Sequence, residues 1–213
     1  MLLRNRAPDV DPTPVTLARG LEHLDQGWIA LLRWCNALRL HYVVVGPVAH
    51  AIRGDAAARG PVAIVPAPYG RNWERLANAL VAQHAGLRSD RALSAGGEAG
   101  STVPVKLTAD KLARGRRWML RFGAYDLDIE SAGRRPAAGE PPTGTPRYQE
   151  LLYESGRFQL AEAVAVEVAS PEDLEHFSHV RRTGAAPEFR VIRTAAADGA
   201  ATAEHSPDSS PDP

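Results

Sequence analysis

The sequence predicts an α/β (α+β) fold, in which helices flank a mixed β-sheet and a disordered tail follows. Short β-branched runs alternate with segments whose apolar residues recur every three or four positions, the pattern of strands between amphipathic helices. The 213 residues can bury a substantial core and fit one domain better than two. From residue 194 onward there is no aromatic, large aliphatic or basic residue, a composition typical of disorder.

The first half of the chain predicts helices on either side of two strands. Residues 17–40 carry an apolar stripe at helical spacing and are predicted as one long helix, with a break near Gly27 left open. Residues 42–46 form a continuous β-branched run, typical of a strand buried on both faces. A short helix is predicted over residues 48–53 and a second strand over residues 61–65.

The second half begins with an amphipathic helix after Gly70. Residues 117–130 alternate between apolar and polar side chains, which indicates two strands that turn at residues 123–124. The last helix is predicted to start with Ser170 as its N-cap, because a proline and an acidic residue follow at the positions that a capping box favours. The remaining predictions are a helix over 147–154 and strands over 158–160 and 163–168.

Stretches rich in proline and glycine separate the predicted domain from its appendages. Residues 131–146 are predicted to form a surface loop, and residues 96–101 a shorter one. We predict a flexible N-terminus over 1–15, one domain over 16–193 and a disordered acidic tail over 194–213.

Charge and cysteine content exclude several classes of protein. The 25 basic and 25 acidic residues balance, so no bulk charge attracts the chain to a nucleic acid or a membrane. Four of the acidic residues lie in the tail, which leaves the rest of the chain mildly basic. Cys35 is the only cysteine, so the chain cannot form a framework of internal disulfides. Cys35 falls in an apolar stripe and is interpreted as a buried hydrophobe. With no signal peptide or apolar span recognised, we expect a cytoplasmic protein.

Six blocks of sequence resemble a known family. They are YVVVGPVA at 42–49, RGPVAIVP at 59–66, NWERLANAL at 72–80, YDLDIE at 125–130, YQELL at 148–152 and VEVASPEDL at 166–174. In this order and spacing they resemble the minimal nucleotidyltransferase superfamily. The resemblance is strongest to bacterial nucleotidyltransferase-like proteins related to abortive-infection and toxin–antitoxin systems. It implies a nucleotidyltransferase-like sheet over about residues 40–182.

The resemblance also implies where the catalytic carboxylates belong, and this chain lacks two of them. In that family, two aspartates on one strand and a third on its neighbour hold the magnesium ions that bind nucleotide phosphates. Ala63 and Val65 stand at the positions of the first two aspartates. Pro61 replaces a threonine, Pro47 replaces the second glycine of a Gly-Gly turn, and Ser178 falls where a lysine is common.

The third carboxylate position is kept as Asp128. Asp126 and Glu130 share its strand face, because side chains two apart on a strand point the same way. One interpretation is a residual magnesium site built from Asp126 and Asp128, and the other is a solvated polar strand face. The resemblance further implies that Gly46, His50 and Arg59 line a remnant nucleotide- or anion-binding cleft.

Two further clusters have a functional and a structural interpretation. His176 and His179, with Glu172 nearby, are either the start of a zinc site or surface residues. Arg114, Arg116, Arg117 and Arg121 surround Trp118 and either contact a nucleic acid or form a basic, solvated edge strand.

The sequence leads to three hypotheses about function. The first is a catalytically degenerate nucleotidyltransferase-fold protein that binds a nucleotide or a protein partner, with no cofactor. The second is an active magnesium-dependent nucleotidyltransferase that uses Asp126 and Asp128, or Asp55 from a preceding loop. The third is a nucleic-acid-associated protein that uses the strand from Arg114 to Arg121. No membrane partner is expected.

Overall fold

An eight-stranded mixed β-sheet with helices packed against it forms the described part of the chain. The computed structural model describes residues 7–88, 102–133 and 146–183. This architecture confirms the predicted α/β class. None of the helices within these ranges is long and apolar enough to cross a membrane.

The order of elements matches the predicted alternation of helices and strands. Along the chain they are α1 (Gln26–Ala37), β1 (Tyr42–Val45), α2 (Gly46–Ile52), β2 (Val62–Pro66), α3 (Gly70–Ala82), β3 (Gly86–Arg88), β4 (Thr102–Pro104), α4 (Ala109–Arg114), β5 (Arg117–Phe122), β6 (Tyr125–Glu130), α5 (Tyr148–Glu154), β7 (Gly156–Ala161), β8 (Val164–Val168) and α6 (Pro171–Thr183).

The sheet has the strand order β4-β3-β5-β6-β2-β1-β8-β7. Strands β2 and β6 run parallel, as do β1 and β8, and the other neighbours are antiparallel. The two β-branched strands therefore lie in the middle of the sheet. Val43 to Val45 are almost completely buried, which confirms the burial on both faces predicted for β1, and Val62 to Val65 of β2 are buried to the same extent.

Helix α1 is shorter than the helix predicted over residues 17–40. It begins at Gln26 because the Asp25 side chain accepts hydrogen bonds from the N–H groups of Gly27 and Trp28 and caps it. Upstream, Leu17 instead forms an isolated antiparallel bridge with Ala161 at the end of β7. The apolar residues before Asp25 therefore belong to a non-helical segment, although their spacing in the sequence is that of a helix.

The start of α6 agrees closely with its predicted cap. The Asp173 N–H donates to Ser170 Oγ at 3.2 Å, and the Ser170 hydroxyl donates to Asp173 Oδ2 at 2.8 Å. Strand β8 begins one residue later than predicted, because Ala163 has a φ of +60° and belongs to the turn after β7.

Three short elements were absent from the sequence prediction. Strands β3 and β4 have only three residues each, and α4 has six, so none is long enough to show a clear periodicity. They matter because β3 pairs with β5 and makes β5 an interior strand.

Several predictions concern segments outside the described residues. The loop over 96–101, the tail over 194–213 and most of the loop over 131–146 lie there. The two ends of the last loop are described, and the Gly133 N–H donates to the Pro146 carbonyl at 2.8 Å. At the N-terminus, the Trp34 indole N–H donates to the Pro8 carbonyl, and the Gln26 amide bonds both backbone groups of Val15.

Candidate functional site

Six charged side chains of the described residues meet on one face of the sheet and form an arginine–carboxylate cluster. Its acids are Asp126, Asp128 and Glu130 of β6, and its bases are Arg88 of β3 and Arg117 and Arg121 of β5. The antiparallel register of β5 and β6 sets Arg121 opposite Asp126 and Arg117 opposite Glu130. Cross-strand partners lie on the same face, so pairing of the two strands is enough to bring these charges together.

Asp128 lies at the centre of this cluster and is fully buried, with 0 % of its surface exposed. Its Oδ1 accepts a hydrogen bond from the Arg88 guanidinium at 3.1 Å, and its Oδ2 accepts one from Arg117 at 2.6 Å. A buried carboxylate is tolerated only when it is paired and hydrogen-bonded, and the two guanidinium groups meet that requirement.

Asp126 is held by a bidentate arginine contact. Its two oxygens accept from Nε and from a terminal nitrogen of Arg121, at 2.6 and 2.7 Å, and Arg88 approaches Oδ2 at 3.4 Å. Burial alone would raise the pKa of Asp126, but the hydrogen bonds and charges of Arg121 and Arg88 outweigh it and lower the pKa below its ordinary value. The carboxylate is therefore ionised at neutral pH.

The ion pairs form one continuous chain of alternating charge. Arg88 connects Asp126 with Asp128, and Arg117 connects Asp128 with Glu130 through its Nε at 3.2 Å. Among the described residues, three guanidinium groups balance three carboxylates. This part of the cluster is therefore close to neutral and has little net charge for attracting a phosphate or a metal ion.

The strand beside β6 offers no further oxygen ligand on this face. In the parallel register of β2 and β6, Ala63 lies directly beside Asp128. Ala63 and Val65 are both fully buried and carry only hydrocarbon side chains. Within residues 7–88, 102–133 and 146–183, no three histidine, cysteine, aspartate or glutamate side chains come together as a metal-binding group.

The interpretation of these carboxylates as a solvated strand face is wrong for Asp128. Asp128 is buried, and the guanidinium groups of Arg88 and Arg117 take the place of water as its hydrogen-bond donors. The related interpretation of Arg114 to Arg121 as an edge strand is also wrong, because β5 lies between β3 and β6. Sequence periodicity identified the strand but not its place in the sheet.

Of the four arginines predicted to contact nucleic acid, two belong to the cluster. Arg117 and Arg121 bind the carboxylates of β6. Arg114 ends α4 and donates to the Asp110 carbonyl at 3.1 Å, whereas Arg116 is exposed.

The residues predicted to line a remnant cleft do not join the cluster in any contact of the described chain. Gly46 opens α2 with a φ of +67°, which explains the glycine. It follows Val45 of β1, which pairs with Ala63 of β2, and Ala63 in turn pairs with Asp128 of β6. Two strand spacings, about 10 Å, therefore separate this turn from Asp128. His50 is half-buried in the last turn of α2.

Arg59 and Asp55 both lie in the exposed loop between α2 and β2. The Arg59 guanidinium donates to the carbonyls of Ala56 and Ala58 at 2.8 and 2.7 Å, which supports the fold of the loop itself. Asp55 accepts from the Ala57 N–H at 3.0 Å in a local turn.

The remaining candidates take structural positions. Cys35 is fully buried, as predicted, and burial raises the pKa of its thiol to about 12. His176 is also fully buried, so its interpretation as a surface residue is wrong; α6 packs against α2 and encloses one side of the helix. Burial, and to a smaller extent the charge of His179, lowers the pKa of His176 to about 4.

Sequence reasoning missed Arg88, which contacts two of the carboxylates. It lies 40 positions before Asp128 and at the end of a three-residue strand, so no local pattern connects them. The sequence indicates such a partner only indirectly. Three acidic residues on one strand face require nearby cations when that face is buried, but they do not identify which cations.

Comparison with known proteins adds no family assignment. Neither the protein-family models nor the curated proteins contain a match to this chain.

Proposed function

We propose that this chain is a catalytically degenerate nucleotidyltransferase-fold protein that acts as a nucleotide-binding or regulatory module. One observation carries the proposal: Asp128, at the position that the resemblance gives to the third carboxylate, has both oxygens bound by arginine and a hydrocarbon neighbour on β2.

The position of Ala63 supports the loss of metal-dependent transfer. Two-metal phosphoryl transfer needs carboxylates on both sides of the ions, which are about 4 Å apart. A second carboxylate would have to come from position 63, beside Asp128, but that residue is alanine. Val65 follows on the same face of β2. Within the described ranges, a magnesium ion would therefore find its carboxylate ligands on β6 alone, which is too few without added phosphate and water.

The guanidinium groups support the proposal independently. A cation that approached Asp128 would have to displace Arg88 and Arg117, and it would leave both guanidinium groups without this buried partner. Breaking a buried ion pair in this way costs about 3–5 kcal/mol. The arginines thus perform the charge neutralisation that metal ions perform in an active member of the family.

Binding and transfer measurements test the proposal together. Calorimetry of the full chain with ATP, GTP and CTP, each with and without magnesium, measures nucleotide binding. A parallel assay follows labelled nucleotide transfer to protein and to RNA. We expect no transfer, and any nucleotide binding should not depend on magnesium.

The competing function is an active nucleotidyltransferase that uses Asp126 and Asp128. It requires transfer that depends on magnesium and is abolished in Asp128→Ala but retained in a surface control such as Asp11→Asn. That result would overturn the proposal. Absence of both transfer and nucleotide binding would restrict the proposed function to a regulatory module with a protein partner.

A further inference from the structure

A second polar cleft lies on the other half of the sheet, away from the arginine–carboxylate cluster. Its volume is about 390 Å³, which is within the range of small-molecule sites. Three parts of the chain form it: the end of α1 with the start of β1, the helix α5, and the outer strands β7 and β8. Strand β8 is separated from β6 by β1 and β2, so about 14 Å lies between this cleft and the cluster.

Tyr148 provides an unused polar group in this cleft. Only 6 % of its surface is exposed, and no hydrogen bond within the described residues reaches its hydroxyl. Burial raises the pKa of Tyr148 to about 12, and Tyr69 and the charge of Glu167 add to the effect. Tyr148 and Glu167 both line the cleft, and the raised pKa keeps the hydroxyl a neutral donor. The hydroxyl is not among the fully enclosed, unbonded polar atoms of the described residues, so a ligand in the cleft can reach it.

Two opposite charges lie beside Tyr148. Arg157 of β7 and Glu167 of β8 face each other across the strands, and their nearest atoms, Nη1 and Oε1, are 3.5 Å apart. This distance is long for a charged hydrogen bond, and 75 % of the Arg157 side chain is exposed. The guanidinium can therefore turn toward a ligand at little cost.

The opposite wall of the cleft is held rigidly. The side chain of Asn72, which is fully buried, accepts a hydrogen bond from the His41 N–H at 3.0 Å and donates to the His41 carbonyl at 2.9 Å. This clamp fixes the backbone of His41, which leaves its ring exposed at the cleft. The apolar part of the lining is Leu40, Leu152 and Val166.

From this combination we propose that the cleft binds a small zwitterion of the amino-acid type. Arg157 binds its carboxylate, Glu167 binds its ammonium group, and the Tyr148 hydroxyl donates a further hydrogen bond to the carboxylate. The charged lining is balanced, so a ligand with one charge of each sign leaves neither Arg157 nor Glu167 unpaired. The apolar wall then receives the side chain of the ligand.

Calorimetry of the full chain with the twenty standard amino acids tests this proposal. Each amino acid that binds is compared with its N-acetyl derivative, which lacks the positive charge, and with its amide, which lacks the negative charge. We expect at least one amino acid to bind and both derivatives to bind at least about tenfold more weakly, as for loss of a hydrogen bond to a charged group.

Variants identify the groups responsible. Tyr148→Phe removes only the hydroxyl and should weaken binding about three- to tenfold, and Arg157→Gln and Glu167→Gln should each weaken it at least about tenfold. Tyr153→Phe is the matched control, because Tyr153 lies on the same helix with 88 % exposure and should bind as the wild type does. Arg157→Gln changes an exposed side chain, so it keeps the test valid if Tyr148→Phe does not fold.

Three results would overturn the proposal. They are no binding of any amino acid, equal binding of the N-acetyl or amide derivatives, and unchanged affinity in both Tyr148→Phe and Arg157→Gln. Binding of inorganic phosphate in place of amino acids is a case of the first result, and it would assign the cleft to anions. None of these results depends on whether the chain binds nucleotides.

Discussion

Ala63 and Asp128 lie side by side in the parallel register of β2 and β6. One is a fully buried methyl group and the other is a fully buried carboxylate. Because the neighbouring strand supplies no charge, Asp128 depends on the guanidinium groups of Arg88 and Arg117 from the other side. This asymmetry explains why the cluster is an arginine–carboxylate network, and it leads to the following predictions.

Removing the charge of Asp128 should destabilise the protein strongly. In Asp128→Asn, the guanidinium groups of Arg88 and Arg117 lose a buried anion, and we expect the free energy of unfolding to fall by about 3–5 kcal/mol. Urea denaturation measures the change. Asp11→Asn is the control, because the exposed Asp11 carboxylate pairs with Arg33 at the surface and its loss should change the unfolding free energy far less. Equal losses in the two variants would contradict the role given to Asp128.

Introducing a carboxylate on β2 should not create a metal site. Ala63→Asp places a second negative charge beside Asp128 in a buried position, so we expect a loss of about 3 kcal/mol or more in unfolding free energy. Since Arg88 and Arg117 still bind Asp128, millimolar magnesium should not raise the melting temperature. Ala63→Asn controls for side-chain size. A melting temperature that rises with magnesium in Ala63→Asp alone would contradict this prediction, because it would show that the two strands can bind the ion.

Stability should fall in mild acid because of His176. Burial lowers its pKa to about 4 in the folded protein, whereas an unfolded histidine has a pKa of about 6.5. Between these two pH values the unfolded state therefore binds the proton more readily than the folded state. The contribution of neutral His176 to stability is complete above pH 6.5 and is lost as the pH falls toward 4. The slope from this single proton is at most about 1.4 kcal/mol per pH unit.

Comparison with His176→Leu isolates that contribution. Unfolding free energies of the wild type and the variant are measured by urea denaturation from pH 7 to pH 5. The wild-type value minus the variant value should fall as the pH falls, because only the wild type has this proton uptake on unfolding. Parallel curves for the two proteins would mean that His176 does not titrate with the shifted pKa.

A glycine next to β5 should be intolerant of any side chain. A methyl group at Gly115 would collide with the Trp118 indole ring, so Gly115→Ala should lower the unfolding free energy by about 1–3 kcal/mol. Gly70→Ala is the matched control, since a methyl group there meets nothing and the residue is helical. Thermal unfolding should show the first variant destabilised and the second unchanged or slightly stabilised.

Local patterns were sufficient for most of the fold. The β-branched runs of β1 and β2, the alternation over β5 and β6 and the cap formed by Ser170 and Asp173 all lie where the sequence placed them. These features depend on neighbouring residues, whose spacing determines which face each side chain occupies. Helix α1 is the exception, because the apolar spacing continues upstream of Asp25 although the helix does not.

The sequence by itself determined that three carboxylates share one face of β6 and that positions 63 and 65 supply no oxygen. Only the tertiary structure decided what those carboxylates bind. Strand order brings Arg88 to Asp128 across 40 positions, and it makes β5 an interior strand whose arginines point at β6. Likewise, only packing of α5 near β8 encloses Tyr148 with Glu167. Periodicity assigns a side chain to a face, but its partners depend on strand order, which short-range patterns do not encode.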